Sequence, residues 1–269
     1  MNRIKFISII GGTIGVVGTT TYLLSDSPRE RLRQRVMEVK LSKTASPNNF
    51  DITKITSRRT VRSNCLSDLL KQEDITYLVD SEPEFIHYLP NNSKESKFID
   101  EQTLAANRLQ SYRDSAQQEL ANWIRFSSQD ANKYRDGLTT AGMEITGIPG
   151  WVVRNSYGKD NVMTKDFRER GIDNIQKEVS ESAGWILITS QDNSVAALLE
   201  TGRRMERLFL KVREMNIAIH PMTQILEEPS TSKRLNQSIG IGEHVQFILR
   251  TGYLKNYPQP VSLRRPIDV

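Results

Sequence analysis

The sequence predicts a single α+β domain behind an apolar N-terminal segment, and three observations carry that prediction. Short runs rich in β-branched and aromatic residues alternate with longer stretches whose apolar residues recur every three or four positions, the marks of buried strands and amphipathic helices. Beyond the N-terminal segment the 269-residue chain has the length of one domain, and its 37% hydrophobic content suffices for a core. One continuous unit, 184–224, reads strand, turn, helix, strand.

In that unit Gly184–Ser190 has the length and composition of a buried strand, and 191–194 supplies turn and N-cap chemistry. From Val195 the positions Leu198, Leu199, Gly202, Met205, Leu208, Phe209, Val212 and Met215 fall on one face of a helix. Glu200 is one turn from Arg204, and Arg203, Glu206, Lys211 and Arg213 continue a solvated face. Gly202 inside the helix costs roughly 1 kcal/mol relative to alanine and points to close packing.

Residues 6–24 carry no charge, follow Arg3 and Lys5, and are rich in Gly, Thr and Val, which reads as an export signal or a membrane anchor. The glycines and threonines are similar to twin-arginine export signals, although Arg3-Ile-Lys5 stands where an arginine pair belongs, and no Ala-x-Ala site follows. Arg29, Arg31, Arg33 and Arg35 follow it and favour retention of the domain on the cytoplasmic side under the positive-inside rule, whereas an export signal would do the opposite. The divisions are therefore residues 1–26 as signal or anchor, 27–50 as basic and polar linker, and 51–269 as the folded domain, with a bacterial inner membrane or periplasmic location.

Asp51 can cap a short helix, and the stretch Ser57, Arg58, Arg59, Thr60, Val61, Arg62 then gathers three guanidinium groups and two hydroxyls, a composition suited to phosphate oxygens. Residues 75–79 and 85–89 read as strands, and 102–126 as a long helix with Ala105, Leu109, Tyr112, Ala116, Leu120 and Trp123 on its buried face. Glycine and proline make 135–158 an irregular loop of the kind used as a lid or dimer arm. Phe167, Ile172, Ile175 and Val179 mark a helix, 216–224 and 245–249 are further apolar runs, and Arg264-Arg265 close the chain.

Charge and motif content exclude several classes. A net charge of +5, from 37 basic and 32 acidic residues, is too weak and dispersed for a nucleic-acid domain. Cys65 is the sole cysteine, so no intrachain disulfide forms. His87, His220 and His244 have no metal-ligand spacing, and there is no HExxH, nucleophile elbow or Walker loop, so no catalytic side chain or metal site is assigned and a cofactor would carry any chemistry.

The 57–62 stretch, the unit from Gly184 to Met215 with Glu206-Arg-Leu-Phe-Leu210, the run His220-Pro-Met-Thr-Gln224, and Arg250-Thr-Gly-Tyr253 through Arg264-Arg-Pro266 together resemble the nitroreductase superfamily of flavoproteins. More narrowly they resemble the branch in which one chain holds two such halves and which includes members with export signals. The resemblance implies an α+β fold with a mainly antiparallel sheet between helices, binding FMN at the junction of two units. It carries the FMN phosphate contacts to Arg58, Arg59, Thr60 and Arg62 with Arg264 or Arg265, and places Pro221 and Met222 near the flavin ring. The activity implied is electron transfer from NAD(P)H through FMN to a nitroaromatic or quinone-like acceptor. The Gln-Pro-Trp flavin segment of the first half is absent, which implies a homodimer or another partner supplying that half, or an impaired flavin site. Two alternatives stay open: a non-catalytic FMN-binding or degenerate homologue, and a basic adaptor on a membrane surface that uses Arg29–Arg35, the membrane otherwise being met only through residues 6–24.

Overall fold

A computed structural model describes residues 51, 53–80 and 82–263. The expected signal, the linker, Arg264 and Arg265 lie outside the described residues. In chain order the elements are α1 (Thr53–Ser57), α2 (Gln72–Val79), β1 (Ile86–Pro90), α3 (Lys94–Tyr112), α4 (Asp114–Trp123), β2 (Ile124–Arg125), α5 (Ser128–Tyr134), β3 (Leu138–Thr139), α6 (Gly147–Ser156), α7 (Lys159–Val162), α8 (Lys165–Ser180), β4 (Gly184–Ser190), α9 (Val195–Val212), β5 (Ile217–Pro221), α10 (Gln224–Glu227), α11 (Pro229–Ser232), α12 (Leu235–Ile239) and β6 (His244–Tyr253).

The expected class, α+β with a mainly antiparallel sheet flanked by helices, is the one observed. Four strands run in the order β1-β4-β6-β5, all antiparallel, and a two-residue parallel pair, β2-β3, stands apart. Every residue of β4 is buried, as its unbroken apolar run requires of a strand covered on both faces. Ile186, Ile188, Ile219 and Leu249 face Leu208, Phe209 and Val212 of α9 and Leu78 of α2. Trp185, Leu187 and Ile248 face Ile99 of α3, Val179 of α8 and the short helices α10 and α12. Gly184 opens β4 at φ 139, where a Cβ would lie 2.1 Å from the Leu89 carbonyl oxygen; only glycine lets β1 pair this closely.

Helix α9 begins where its cap predicts, with Ser194 Oγ accepting from Ala197 N at 3.3 Å. Its charged side is wired differently from expectation. Glu200 pairs with Arg203 and Arg207, both at 2.7 Å, while the buried Arg204 turns to Glu82 at 3.2 Å and stacks 4.0 Å from the Phe85 ring centroid.

Three expectations are corrected. Residues 75–79 are helical: Ile75, Leu78 and Val79 meet the core at three-and-four spacing, Tyr77 is exposed, and Glu73 and Asp74 favour the positive end of α2. The long helix is two helices, starting at Lys94 and broken at Arg113, whose φ −89 and ψ 110 are extended. Its buried face is also another one: Ser96, Ile99, Thr103, Ala106 and Ser111 are buried, whereas Leu109, Tyr112 and Trp123 are exposed, so these aromatics are not core. Small residues let α3 approach α8 closely, so the stripe that packs is not the most apolar one. Residues 135–158 are not irregular throughout, because they contain α6; Pro149 sits in its first turn, where a missing N–H costs nothing. Among the described residues no helix is long and apolar enough to cross a membrane, and no group of His, Cys, Asp and Glu could hold a metal.

Candidate functional site

The arginine stretch lies along the outer end of the sheet. Asp51 caps α1, accepting from Thr53 N at 2.9 Å, and the chain then runs extended beside β5, with Val61 N donating to Ile219 O at 3.2 Å. Val61 and Cys65 pack on Ala218 and Leu254, with Tyr257 against them. Cys65 is buried, and burial pushes its thiol pKa up, which argues against a nucleophilic role.

The three guanidinium groups fan apart. Arg58 lies under α9, 2.6 Å from Glu206 and 5.9 Å from the Phe209 ring centroid, with its Nη2 buried and without a hydrogen-bond partner. Arg59 donates to Gln259 O and to Glu144 Oε1, both at 2.7 Å, and Thr60 offers Arg59 only its carbonyl. Arg62 donates to Gly142 O at 2.7 Å, and burial pushes its pKa down from the usual guanidinium value. Pro221 ends β5, while Met222 is fully buried between Ile225, Leu235 and Ile248 and donates its N–H to Ile248 O at 2.8 Å. Residues about two hundred positions on meet Arg59: Gln259 O accepts from its guanidinium, and Tyr257 donates its hydroxyl to Arg59 O at 3.0 Å.

Deeper in, the β5-β6 register sets His220 opposite Arg250. Arg250 is wholly buried and donates to Glu178 O at 2.5 Å and Glu181 O at 3.0 Å, around the C-terminal end of α8, and to Arg62 O at 2.6 Å. His220 Nδ1 is 3.2 Å from Glu178 Oε2, and burial, aided by Arg62 and Arg250, pushes its pKa down to about 4 despite that carboxylate.

One convergence stands out. Glu144 accepts from Arg59 Nη2 on one carboxylate oxygen, and from Ser63 N, at 2.7 Å, and Ser63 Oγ on the other. Guanidinium, hydroxyl and main-chain amide converge on one anion, which is the donor set of an oxyanion site. Ser63 adjoins the arginine stretch and was within reach of sequence reasoning, and Arg250 stood in one of the motifs of the resemblance without a role of its own; Glu144 and Glu178 were not within reach, because nothing local marks a lone acid as the partner of a segment far away in the chain. Two concavities among the described residues, one of about 520 Å³ lined by Leu69, Ile75, Tyr88 and Pro90 and the other between α2 and α9, include none of these residues.

No protein-family model matches the chain, and no curated protein matches its sequence. Its shape is similar to that of the FMN-dependent nitroreductase from Mycobacterium smegmatis in complex with NADPH, at 14% identity, with 79% of this chain and 91% of that one covered and a TM-score of 0.46. It is also similar to a nitroreductase with bound FMN from Bacteroides fragilis, at 10% identity over 81% and 95% of the two chains, TM-score 0.43. The NADPH:FMN oxidoreductase from Vibrio harveyi complexed with NAD+ is a further likeness, at 11% identity over 80% and 73%, TM-score 0.38.

Proposed function

We propose that this chain is an FMN-dependent oxidoreductase of the nitroreductase type, taking electrons from NAD(P)H and passing them to a nitroaromatic or quinone-like acceptor. The observation that supports the reading is the convergence on one anion of Arg59, in the stretch to which the family resemblance carries the FMN phosphate, and the adjoining Ser63. In this reading Arg59 and Ser63 hold the phosphate, and Arg62 and Arg250 keep the surroundings positive. The flavin, when bound, supplies the hydride-accepting chemistry; the chain binds, orients and excludes water. The experiment is fluorescence titration of the purified full chain with FMN and with riboflavin. FMN should bind one to two decades more tightly, since a charge-assisted contact contributes roughly 1.5–3 kcal/mol. Equal affinities would remove the phosphate from the assignment.

A second reading, a homologue without flavin, is favoured by the same geometry, because Glu144 already satisfies the donors. A colourless full chain that fails to oxidise NADPH after incubation with FMN would select it.

The first reading also needs a second subunit to complete the flavin site. Helix α6, in the segment expected to act as a dimer arm, exposes Ile148 at 80% and Trp151 at 61% on one face, an apolar stripe fit for a second copy of the chain. Light scattering should return the mass of a dimer, and Trp151→Glu should shift it toward monomer. A flavin-loaded monomer would exclude the arrangement.

A further inference from the structure

We propose that Glu144 is a built-in competitor for oxyanions: its carboxylate fills the cradle made by Arg59 and Ser63, and a phosphate monoester enters only by displacing it. The inference deepens the flavin reading and rests on it for the identity of the ligand, though not for the competition itself.

Occupant and receptor are separate parts of the chain. The receptor is the run 59–63 beside β5, whereas Glu144 comes from the turn between β3 and α6, 81 positions from Ser63. Both carboxylate oxygens are engaged, by Arg59 Nη2 at 2.7 Å on one and by Ser63 N at 2.7 Å and Ser63 Oγ on the other. A phosphate monoester presents the same pair of acceptor oxygens with a third to spare and a larger charge.

The occupant is held on a turn that can release it. Glu144 has φ 60, in the left-handed region that residues other than glycine seldom adopt, and the turn closes through Glu144 N to Ala141 O at 3.1 Å and Ile145 N to Thr140 O at 3.0 Å. Gly142 precedes it and Gly147, at φ 61, follows, so the backbone on both sides tolerates rearrangement. Letting go of the cradle gives up the side-chain contacts of Glu144 with Arg59 and Ser63, while the turn keeps its own main-chain hydrogen bonds.

The surroundings favour a more highly charged guest. Arg59, Arg62 and Arg250 bring three positive charges, Glu144 and Glu178 two negative ones, and His220 is neutral above pH 4 or so, which leaves one positive charge in excess. With the Glu144 carboxylate withdrawn the excess is two, which a phosphate dianion neutralises. Arg58 is outside this balance because it faces Glu206 under α9.

The test titrates the full chain with inorganic phosphate by calorimetry. Glu144→Gly removes the carboxylate and relieves the left-handed backbone, so the variant is expected to fold; phosphate should bind it about tenfold or more tightly than wild type, the worth of one displaced charge-assisted contact. Glu144→Gln keeps the length and an acceptor for Ser63 while losing the charge, and should show a smaller gain in the same direction. Adding Arg59→Ala to Glu144→Gly should abolish the gain. Phosphate affinity unchanged from wild type in both single variants would overturn the proposal. FMN separates the two layers: unchanged phosphate affinity with measurable FMN binding would refute the competition while leaving the flavin reading in place, whereas tighter phosphate in Glu144→Gly with no FMN binding, or with FMN affinity unchanged, would uphold the competition and take the flavin phosphate out of the cradle.

Discussion

Arg250→Met should destabilise the protein by about 3–5 kcal/mol, the cost of breaking a buried charged network. The side chain is wholly buried in β6 and makes three hydrogen bonds to main-chain carbonyls of two other segments, Glu178 and Glu181 around the end of α8 and Arg62 in the run beside β5. The carbonyls at the end of a helix have no partner of their own, and the negative end of the helix dipole favours a cation there. Methionine fills similar space but leaves all three acceptors dry, at about 1–3 kcal/mol each before relaxation. Lysine should restore less than half, because one ammonium cannot reach the end of α8 and the Arg62 carbonyl together. Urea denaturation measures the loss, and the melting temperature should fall by roughly 10 °C, at about 2–4 °C per kcal/mol for a domain of this size. By contrast, Arg203→Ala removes an exposed pair with Glu200 and should change stability by less than about 0.5 kcal/mol. A loss below about 1 kcal/mol for Arg250→Met would mean that water, rather than this side chain, satisfies those carbonyls.

Arg250 also shows where the sequence was legible and where it was not. Elements with strong internal pattern were readable: the seven apolar or small residues of β4, the three-and-four spacing and Ser194 cap of α9, and the Asp51 cap of α1 each follow from neighbours in the chain. Elements decided by what packs against them were not. Residues 75–79 have the composition of a strand but an acidic first turn and a core on one side only, and they form α2. Helix α3 turns Ser96, Thr103 and Ala106 inward because close approach to α8 outweighs the burial of Leu109 and Tyr112. The site divides in the same way: the density of arginines over 58–62 was visible, yet their directions depend on Glu206, Gln259, Glu144 and Gly142, partners between 80 and 200 positions away.

On acidification from pH 7 to 4.5, His220 and Asp100 should pull stability in opposite directions, and removing either should expose the other. His220, facing Glu178, Arg62 and Arg250, is held neutral by burial with its pKa pushed down to about 4, whereas the unfolded chain protonates it near 6.5. Between those values the unfolded state binds more protons, so His220 lowers stability as the pH falls, by about 2–3 kcal/mol at pH 4.5. Asp100 accepts from Trp185 Nε1 at 2.7 Å, but burial outweighs that bond and pushes its pKa up to about 6. Between 3.8 and about 6 the folded state binds more protons there, so Asp100 adds stability over the same fall in pH. Asp100→Asn keeps an acceptor for Trp185 and deletes the titration, so its urea midpoint should drop more steeply with acid than that of wild type. His220→Asn places a neutral amide where Nδ1 faces Glu178, and its midpoint should hold steady or rise as the pH falls. Parallel midpoint curves for the two variants and wild type would mean that neither group carries its shift in solution.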